Sequence, residues 1–191
     1  MNDCRLKYRI MLTNLSDEIT KRNVCLDMLK VASADFVNIK TELQKAINPF
    51  AIFMLLDTAG HMSQNNLILL IAIIQLLGLT YLKDVIIRSG FEYTENVDTK
   101  SVFSLFRRRV ISIGKELSDD QLNKISGVYQ VPNENCTNQW RLLQYLQDNK
   151  TFNNNDELME FIATVGSVGV IIGWYECNKS TCPYINTFLK I

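Results

Sequence analysis

The 191-residue chain is electrically balanced: Lys plus Arg and Asp plus Glu both number 20, so the formal net charge is zero. Such a chain has no global positive excess to attract nucleic acid or an anionic membrane. Hydrophobic residues make up 47% and charged residues 21%, which is typical of a folded globular protein and excludes a disordered or collagen-like chain. We therefore expect one large domain or two small ones, with no nucleic-acid partner.

Targeting signals and cysteine usage favour a cytoplasmic protein. The polar start, residues 1–5, is followed by no apolar segment of signal-peptide kind. The longest apolar run, 67–82, is interrupted by Gln75 and Thr80 and is shorter than the roughly 20 residues that a membrane-spanning helix needs. We interpret this run as a buried core helix and expect no membrane insertion. Five irregularly spaced cysteines indicate reduced thiols rather than a disulfide framework.

The inventory of reactive residues does not favour an enzyme. His61 is the single histidine, so a Ser/His or Cys/His pair would depend on a residue in a predicted turn with no nucleophile motif around it. The same histidine cannot complete the usual mixed zinc set near Cys177 and Cys182, which are the only close cysteine pair. The eight glycines are scattered and form no phosphate-binding pattern. We expect no catalytic residue, no cofactor and no metal.

Apolar residues of the first half recur at helical spacing. In 8–15 they fall three and four residues apart, which predicts an amphipathic first helix. The polar residues 16–18 are expected to end that helix or to cap the next one, and a second apolar stripe follows in 24–31. Helix is also favoured over strand elsewhere, because no series of short strands separated by regular turns is present.

Turn residues divide the rest of the first half. The Asn-Pro pair at 48–49 predicts a break before the next helix, and 60–63 predicts a turn. Residues 65–87 are long and apolar enough for one or two helices, with Gly78 as a site of bending or breakage. The polar stretch 89–100 is the most linker-like part of the chain, and we place a domain boundary there.

The second half repeats the first. The repeated positions are an aromatic residue followed by an arginine, then apolar residues, then a glutamate before an aliphatic residue. Agreement in order over separate blocks favours a tandem duplication over chance similarity of amphipathic helices. Three pairs of blocks align: 8–19 on 106–117, 50–56 on 140–146, and 67–72 on 158–163.

Several of these segments resemble a known family. Residues 7–19 (KYRIMLTNLSDEI) look like the opening helix of a death effector domain, and 53–56 followed by 62–67 resembles that family's fourth helix, turn and start of the fifth. Residues 106–122 (FRRRVISIGKELSDDQL) are similar to the second death effector domain of the viral FLICE-like inhibitory proteins. The resemblance covers nearly the whole chain.

The resemblance implies an all-α fold of two tandem six-helix death-fold bundles packed together. The first death effector domain is expected over 1–90 and the second over 101–176, shortened between its second and fourth helices, with a C-terminal tail at 177–191. It also implies a non-enzymatic inhibitor of death-receptor apoptosis that binds the FADD-like death effector domain adaptor or an initiator procaspase. No caspase domain follows in this sequence, as expected of a decoy. The expected location is the cytoplasm, which would be the host cytoplasm if the protein is viral.

One departure from the family concerns its charge triad, in which an Arg-x-Asp-Leu motif of the sixth helix meets a second-helix carboxylate. The first-half counterpart is 79–82 (LTYL), and 166–173 contains neither Arg nor Asp. The carboxylate position falls near Asn23 in one half and Gln121 in the other. We therefore expect apolar packing in place of the charge network, a replacement that can be neutral for stability.

Charged and small apolar groups supply the candidate interface. An arginine cluster can pair with a partner's carboxylates, acidic residues provide its counterpart, and the end of the second half's second helix carries a small apolar patch. A solvated helix face and core packing are the structural alternatives. The candidate partner-binding residues are Arg107, Arg108 and Arg109, the acidic Asp17, Glu18, Glu116, Asp119 and Asp120, and the apolar Val128 and Tyr129.

Two other functions stay open. A related scaffold would bind the kinase regulatory subunit of the NF-kappaB pathway and activate that pathway. A viral Bcl-2-like protein would instead be a single bundle around a helix at 67–82, sequestering pro-death helices in an apolar groove.

Overall fold

The computed structural model describes residues 3–167, and every regular element in that range is a helix. The prediction of an all-α fold is therefore confirmed for these residues. Short 3-10 turns lie at Thr80–Leu82 and Asn133–Asn135. The helices are α1 (Asp3–Lys21), α2 (Leu26–Ser33), α3 (Lys40–Lys45), α4 (Pro49–Thr58), α5 (Ile68–Leu77), α6 (Lys83–Arg88), α7 (Thr99–Val102), α8 (Leu105–Glu116), α9 (Asp119–Tyr129), α10 (Gln139–Asp148) and α11 (Asn155–Ser167).

The chain divides into two compact units, Met1–Ile111 and Ser112–Ile191. The division lies inside α8, so the first part of this helix belongs to the first unit. The stretch 89–100, which we expected to link two domains, lies within the first unit and contains the start of α7.

Helix α1 is longer than the sequence predicted. The expectation that 16–18 ends the first helix was wrong, because α1 continues to Lys21. The Ser16 hydroxyl, which could have capped a new helix, is buried and instead accepts a hydrogen bond from the Phe50 backbone N–H at 3.2 Å. Glu18 pairs with Arg22 one turn later, at 2.7 Å, which supports the continued helix.

The breaks at 48–49, at 60–63 and at Gly78 are confirmed. Asn48 caps α4, since its side chain accepts from the Ala51 N–H and Pro49 occupies the first turn. Gly78 ends α5 in the left-handed region (φ 77°), a conformation that favours glycine. The run 67–82 is therefore a buried helix that ends at Leu77 and a 3-10 turn, rather than one continuous core helix.

The core of the first unit lies around α4, which contacts α1, α2 and α3, while α5 contacts α2 and α7. The apolar stripe that the periodicity predicted in α1 is the face of that helix that is buried. The fully buried side chains include Met11, Leu12, Leu15, Ile52, Leu56, Leu70 and Ala72.

In the second unit, α9 contacts α10 and α11. The later part of α8 meets α10 at Gly114, where a Cβ atom would overlap the six-membered ring of the buried Trp140. The absence of a side chain at Gly114 therefore allows the two helices to approach closely. Where the first unit has α3, the second has only the 3-10 turn at Asn133–Asn135.

Helices α4 and α10 begin in the same way. Asn48 and Asn138 are both extended N-cap residues, with φ −152° and −161°, and the side chain of each accepts from the backbone N–H three residues later. Ser16 of α1 and Gly114 of α8 are small residues at equivalent positions. Ser16 lies against Phe50 and Gly114 against Trp140, which are the second residues of α4 and α10.

Helices α4 and α10 also end alike. Each is followed by a residue of positive φ, Gly60 (80°) in the first unit and Lys150 (59°) in the second. The next N–H returns to the helix in both cases, from His61 to the Leu56 carbonyl at 3.1 Å and from Thr151 to the Leu146 carbonyl at 2.9 Å. A buried residue then enters each core, Met62 or Phe152.

Residues 168–191 lie outside the described range, and so do several sequence predictions. These are most of the second triad segment 166–173, the end of the second predicted domain, the tail 177–191 and the pair Cys177 and Cys182.

Candidate partner-binding surfaces

Arg107 is not on the surface. Its side chain is 1% exposed, and its guanidinium donates to the Val31 carbonyl at 2.9 Å and pairs with Asp35 at 2.5 Å, the carboxylate being 34% exposed. Val31 lies in the last turn of α2, where its carbonyl also accepts the Ala34 N–H at 3.5 Å and where a cation interacts favourably with the helix dipole. Arg107 therefore anchors α8 to α2 within the first unit, and the expected exposed arginine cluster does not include it.

Arg108 and Arg109 are half-buried, and each has partners within the described residues. The three neighbouring arginines therefore do not form one solvated basic face. They follow each other on a helix, and successive helical residues point in different directions. Adjacent positions in sequence were a poor guide to a shared surface.

The acidic candidates of the second unit lie at the junction of α8 and α9, and all are exposed. Glu116 ends α8, and Asp119 and Asp120 occupy the first turn of α9 after the N-cap Ser118. A capping box between Ser118 and Gln121 fixes this start, so the two aspartates stand at the positive end of the helix dipole. These carboxylates form the negative part of a surface that a partner can reach.

The apolar candidates separate. Val128 is 41% exposed, whereas the half-buried Tyr129 packs its ring 5.6 Å from Phe161 of α11, and burial raises the pKa of its hydroxyl. At 100° per residue, Asp120, Lys124 and Val128 fall along one side of α9, away from the buried Leu122 and Ile125. We call the exposed residues Asp120, Asn123, Lys124, Gly127 and Val128 the α9 face.

Asp17 and Glu18 line a cleft of about 380 Å³ in the first unit, together with Lys21 of α1 and Val85 and Arg88 of α6. A hydrogen bond from Arg22 lowers the pKa of the Glu18 carboxyl. Asp17 is exposed, and the lining contains both carboxylates and cations. Asp17 and Glu18, which the sequence offered as an acidic patch, therefore lie in a cleft of mixed charge.

The counterpart of the family's charge triad has a different construction. Leu79 and Leu82 are buried, as expected for apolar packing. Tyr81 between them is covered by Arg22, whose guanidinium carbon lies 4.1 Å from the ring centroid, and burial raises the pKa of the Tyr81 hydroxyl. Arg22 also pairs with Glu18, so an acid, an arginine and a tyrosine are joined here.

The second-helix part of the triad comparison was wrong for Asn23. This residue lies before α2 in the left-handed region (φ 53°) and is exposed. The carboxylate that α2 does carry is Asp27, whose side chain lies 3.9 Å from the buried Lys30. Gln121 is in α9, where its side chain closes the capping box with Ser118.

Three contributors were missed in the sequence. Asp35 pairs with the buried Arg107, Lys30 is a buried cation, and Lys124 adds a cation to the α9 face. Lys30 donates to the Gln44 carbonyl at 2.8 Å and so joins α2 to the end of α3. Local signals were available for two of the three, since oppositely charged residues three or four apart on a helix commonly pair: Asp27 precedes Lys30 by three residues and Asp120 precedes Lys124 by four.

No grouping of three or more His, Cys, Asp or Glu side chains suited to a metal ion occurs within 3–167. Nor does any helix in that range have the length and apolar character to cross a membrane. His61 is exposed, with its ring 5.4 Å from that of Phe36. Comparison with models of protein families, with curated proteins and with solved structures gave no match to this chain.

Proposed function

We propose that this chain is a non-enzymatic interaction protein made of two related death-fold units, which binds the death effector domain adaptor or an initiator procaspase and so blocks caspase activation. In this proposal the protein occupies the surface through which adaptor and procaspase would meet. Binding alone accounts for inhibition, and no catalytic residue is required.

The observation that carries the proposal is the agreement between α4 and α10 in their own units. Both have an asparagine N-cap, both end in a positive-φ residue with the same returning hydrogen bond, and both lie against a small residue of an earlier helix. Such details do not follow from amphipathic periodicity, which any two helices share. They support a duplication of one helical unit, the architecture expected of a tandem death effector domain protein.

The exposed candidates support a binding role. The α9 face carries two charges of opposite sign and the exposed Val128 beside acidic residues at the start of the same helix. In an interface, charged groups orient the partner, and a small apolar centre provides a contact from which water is excluded. Because Arg107 is buried, the proposal places recognition at α9 rather than at the arginine cluster.

The single-bundle alternative has less support. It predicts a single bundle around a helix at 67–82, whereas the chain forms two compact units and α5 ends at Leu77. These features favour the tandem proposal over a viral Bcl-2-like groove.

Affinity capture of purified adaptor and initiator procaspase by the full chain tests the proposal. We expect at least one of them to be retained. A triple variant Asp119→Asn, Asp120→Asn and Val128→Gln should weaken retention by about tenfold or more, because it removes two charges and the apolar centre.

Glu134→Gln is the matched control, since Glu134 is an exposed acid of the same unit outside α9. It should leave retention unchanged, with circular dichroism showing that every variant is folded. Failure of the folded parent chain to retain either partner would contradict the proposal. Equal retention by the triple variant and the parent would exclude the α9 face as the interface.

A further inference from the structure

The segment between α6 and α7 has no regular secondary structure, but a single side chain holds it in place. The Gln75 amide nitrogen donates to the backbone carbonyls of Thr94 at 2.8 Å and Glu95 at 2.9 Å, and it also lies 3.4 Å from the Tyr93 hydroxyl oxygen. Its amide oxygen accepts from the Val97 N–H at 3.1 Å. Both donors and the acceptor of one glutamine are therefore used to bind the backbone of this segment. We call residues 91–97 the strap.

The other attachments of the strap are polar or peripheral. Lys83 of α6 pairs with Glu95, with side chains 36% and 62% exposed, and its amine lies 5.8 Å from the Tyr93 ring centroid. Phe91 meets the Tyr8 ring edge-on at 6.2 Å. Exposed ion pairs contribute little stability. The strap is therefore held mainly by its bonds to Gln75.

Helix α5 needs a cover. Its sequence, ILLIAIIQLL, has Gln75 as its one polar residue, and a helix that is apolar on all sides has to be buried on all sides. Packing against α2 covers one side, and α7, which directly follows the strap, covers another. Gly90, with φ 83°, precedes the strap and adopts a backbone conformation that favours glycine.

We propose that the strap is a releasable cover, which opens while the rest of the first unit stays folded and thereby uncovers the side of α5 around Gln75. Segments with few buried apolar contacts and solvent-exposed hydrogen bonds open at a lower free energy than the core. The strap combines an irregular backbone, an exposed ion pair to Lys83 and a set of hydrogen bonds to Gln75. Gln75 is the positioning residue that keeps the cover closed.

Hydrogen exchange of the full chain, measured by NMR, tests this proposal. The Val97 amide reports on the strap, and the Ile71 amide, bonded to the Leu67 carbonyl at 2.9 Å, reports on α5. In the parent protein we expect Val97 to exchange faster than Ile71. Gln75→Met should accelerate Val97 by about tenfold or more through loss of the Gln75 hydrogen bonds to the strap, with Ile71 unchanged. Gln144→Met, at a half-buried position of α10, is the control.

A second measurement avoids the direct loss of the Val97 acceptor. Glu95→Lys replaces the attraction to Lys83 with repulsion but leaves Gln75 in place, and it should raise native-state cleavage by chymotrypsin at Tyr93 by about threefold. Strap opening at a rate distinct from α5, together with faster cleavage in this variant, supports the proposal. A common exchange rate for Val97 and Ile71, or no response to either variant, overturns it.

Discussion

Replacing Arg107 with alanine is expected to lower the free energy of unfolding by about 3 kcal/mol, because it removes the buried member of a partly buried ion pair. The substitution removes the guanidinium that donates to the Val31 carbonyl and pairs with Asp35, and it empties the space of a side chain that is 1% exposed. Part of the penalty is relieved, since Asp35 is 34% exposed and can be hydrated. Urea unfolding followed by circular dichroism measures the loss.

Arg9→Ala is the matched control for Arg107. Arg9 occupies the equivalent position of α1 in the aligned repeat, but it is exposed, so we expect a change within about 0.5 kcal/mol. The pair variant Arg107→Met with Asp35→Asn should recover part of the stability lost in Arg107→Ala, because it removes both charges and retains an apolar stem. Equal effects of the Arg107 and Arg9 substitutions would contradict the burial of Arg107.

Gly114→Ala is expected to destabilise the second unit by about 2 to 3 kcal/mol, the usual effect of overpacking a closely packed contact. The added methyl group would overlap the Trp140 ring, so α8 and α10 would have to separate or the ring would have to leave its position. In an exposed helix the same substitution normally stabilises. The expected loss therefore reports on the helix contact rather than on helix propensity.

Gly127→Ala provides that comparison within the same unit. Gly127 lies in α9, and a Cβ there would meet nothing within 4 Å, so we expect a gain of about 0.5 to 1 kcal/mol. Thermal and urea unfolding of the two variants should shift in opposite directions. A stabilising effect of Gly114→Ala would show that α8 and α10 do not meet at this residue.

The helix positions were largely predictable from sequence, because apolar periodicity and turn residues act locally. The stripe at 8–15 is buried, Asn48 caps α4, and Gly78 ends α5. The alignment of 50–56 on 140–146 also matched residues with equivalent places in α4 and α10. Local sequence did not predict the role of Ser16. Its hydroxyl accepts a hydrogen bond from the Phe50 N–H of α4 and so does not cap a new helix.

The candidate surfaces were less predictable, because burial of a charge depends on partners far away in sequence. Arg9 and Arg107 stand in similar local sequences, but Arg107 meets the end of α2 while Arg9 faces solvent. The strap illustrates the same point, since its polar composition is typical of a free linker while Gln75 binds its backbone. By contrast, Asp119 and Asp120, which the sequence offered as an acidic patch, are exposed in the first turn of α9, where the helix dipole favours carboxylates.

Caspase activation reconstituted from purified adaptor and initiator procaspase tests the proposed inhibition most directly. The full chain is added over a range of concentrations, and the initial rate of substrate cleavage is measured, with the triple α9 variant and Glu134→Gln in parallel. We expect the parent and Glu134→Gln to suppress the rate to the same extent and the triple variant to require about tenfold more protein. An unchanged rate at a saturating concentration of folded parent protein would contradict the proposed inhibition of caspase activation.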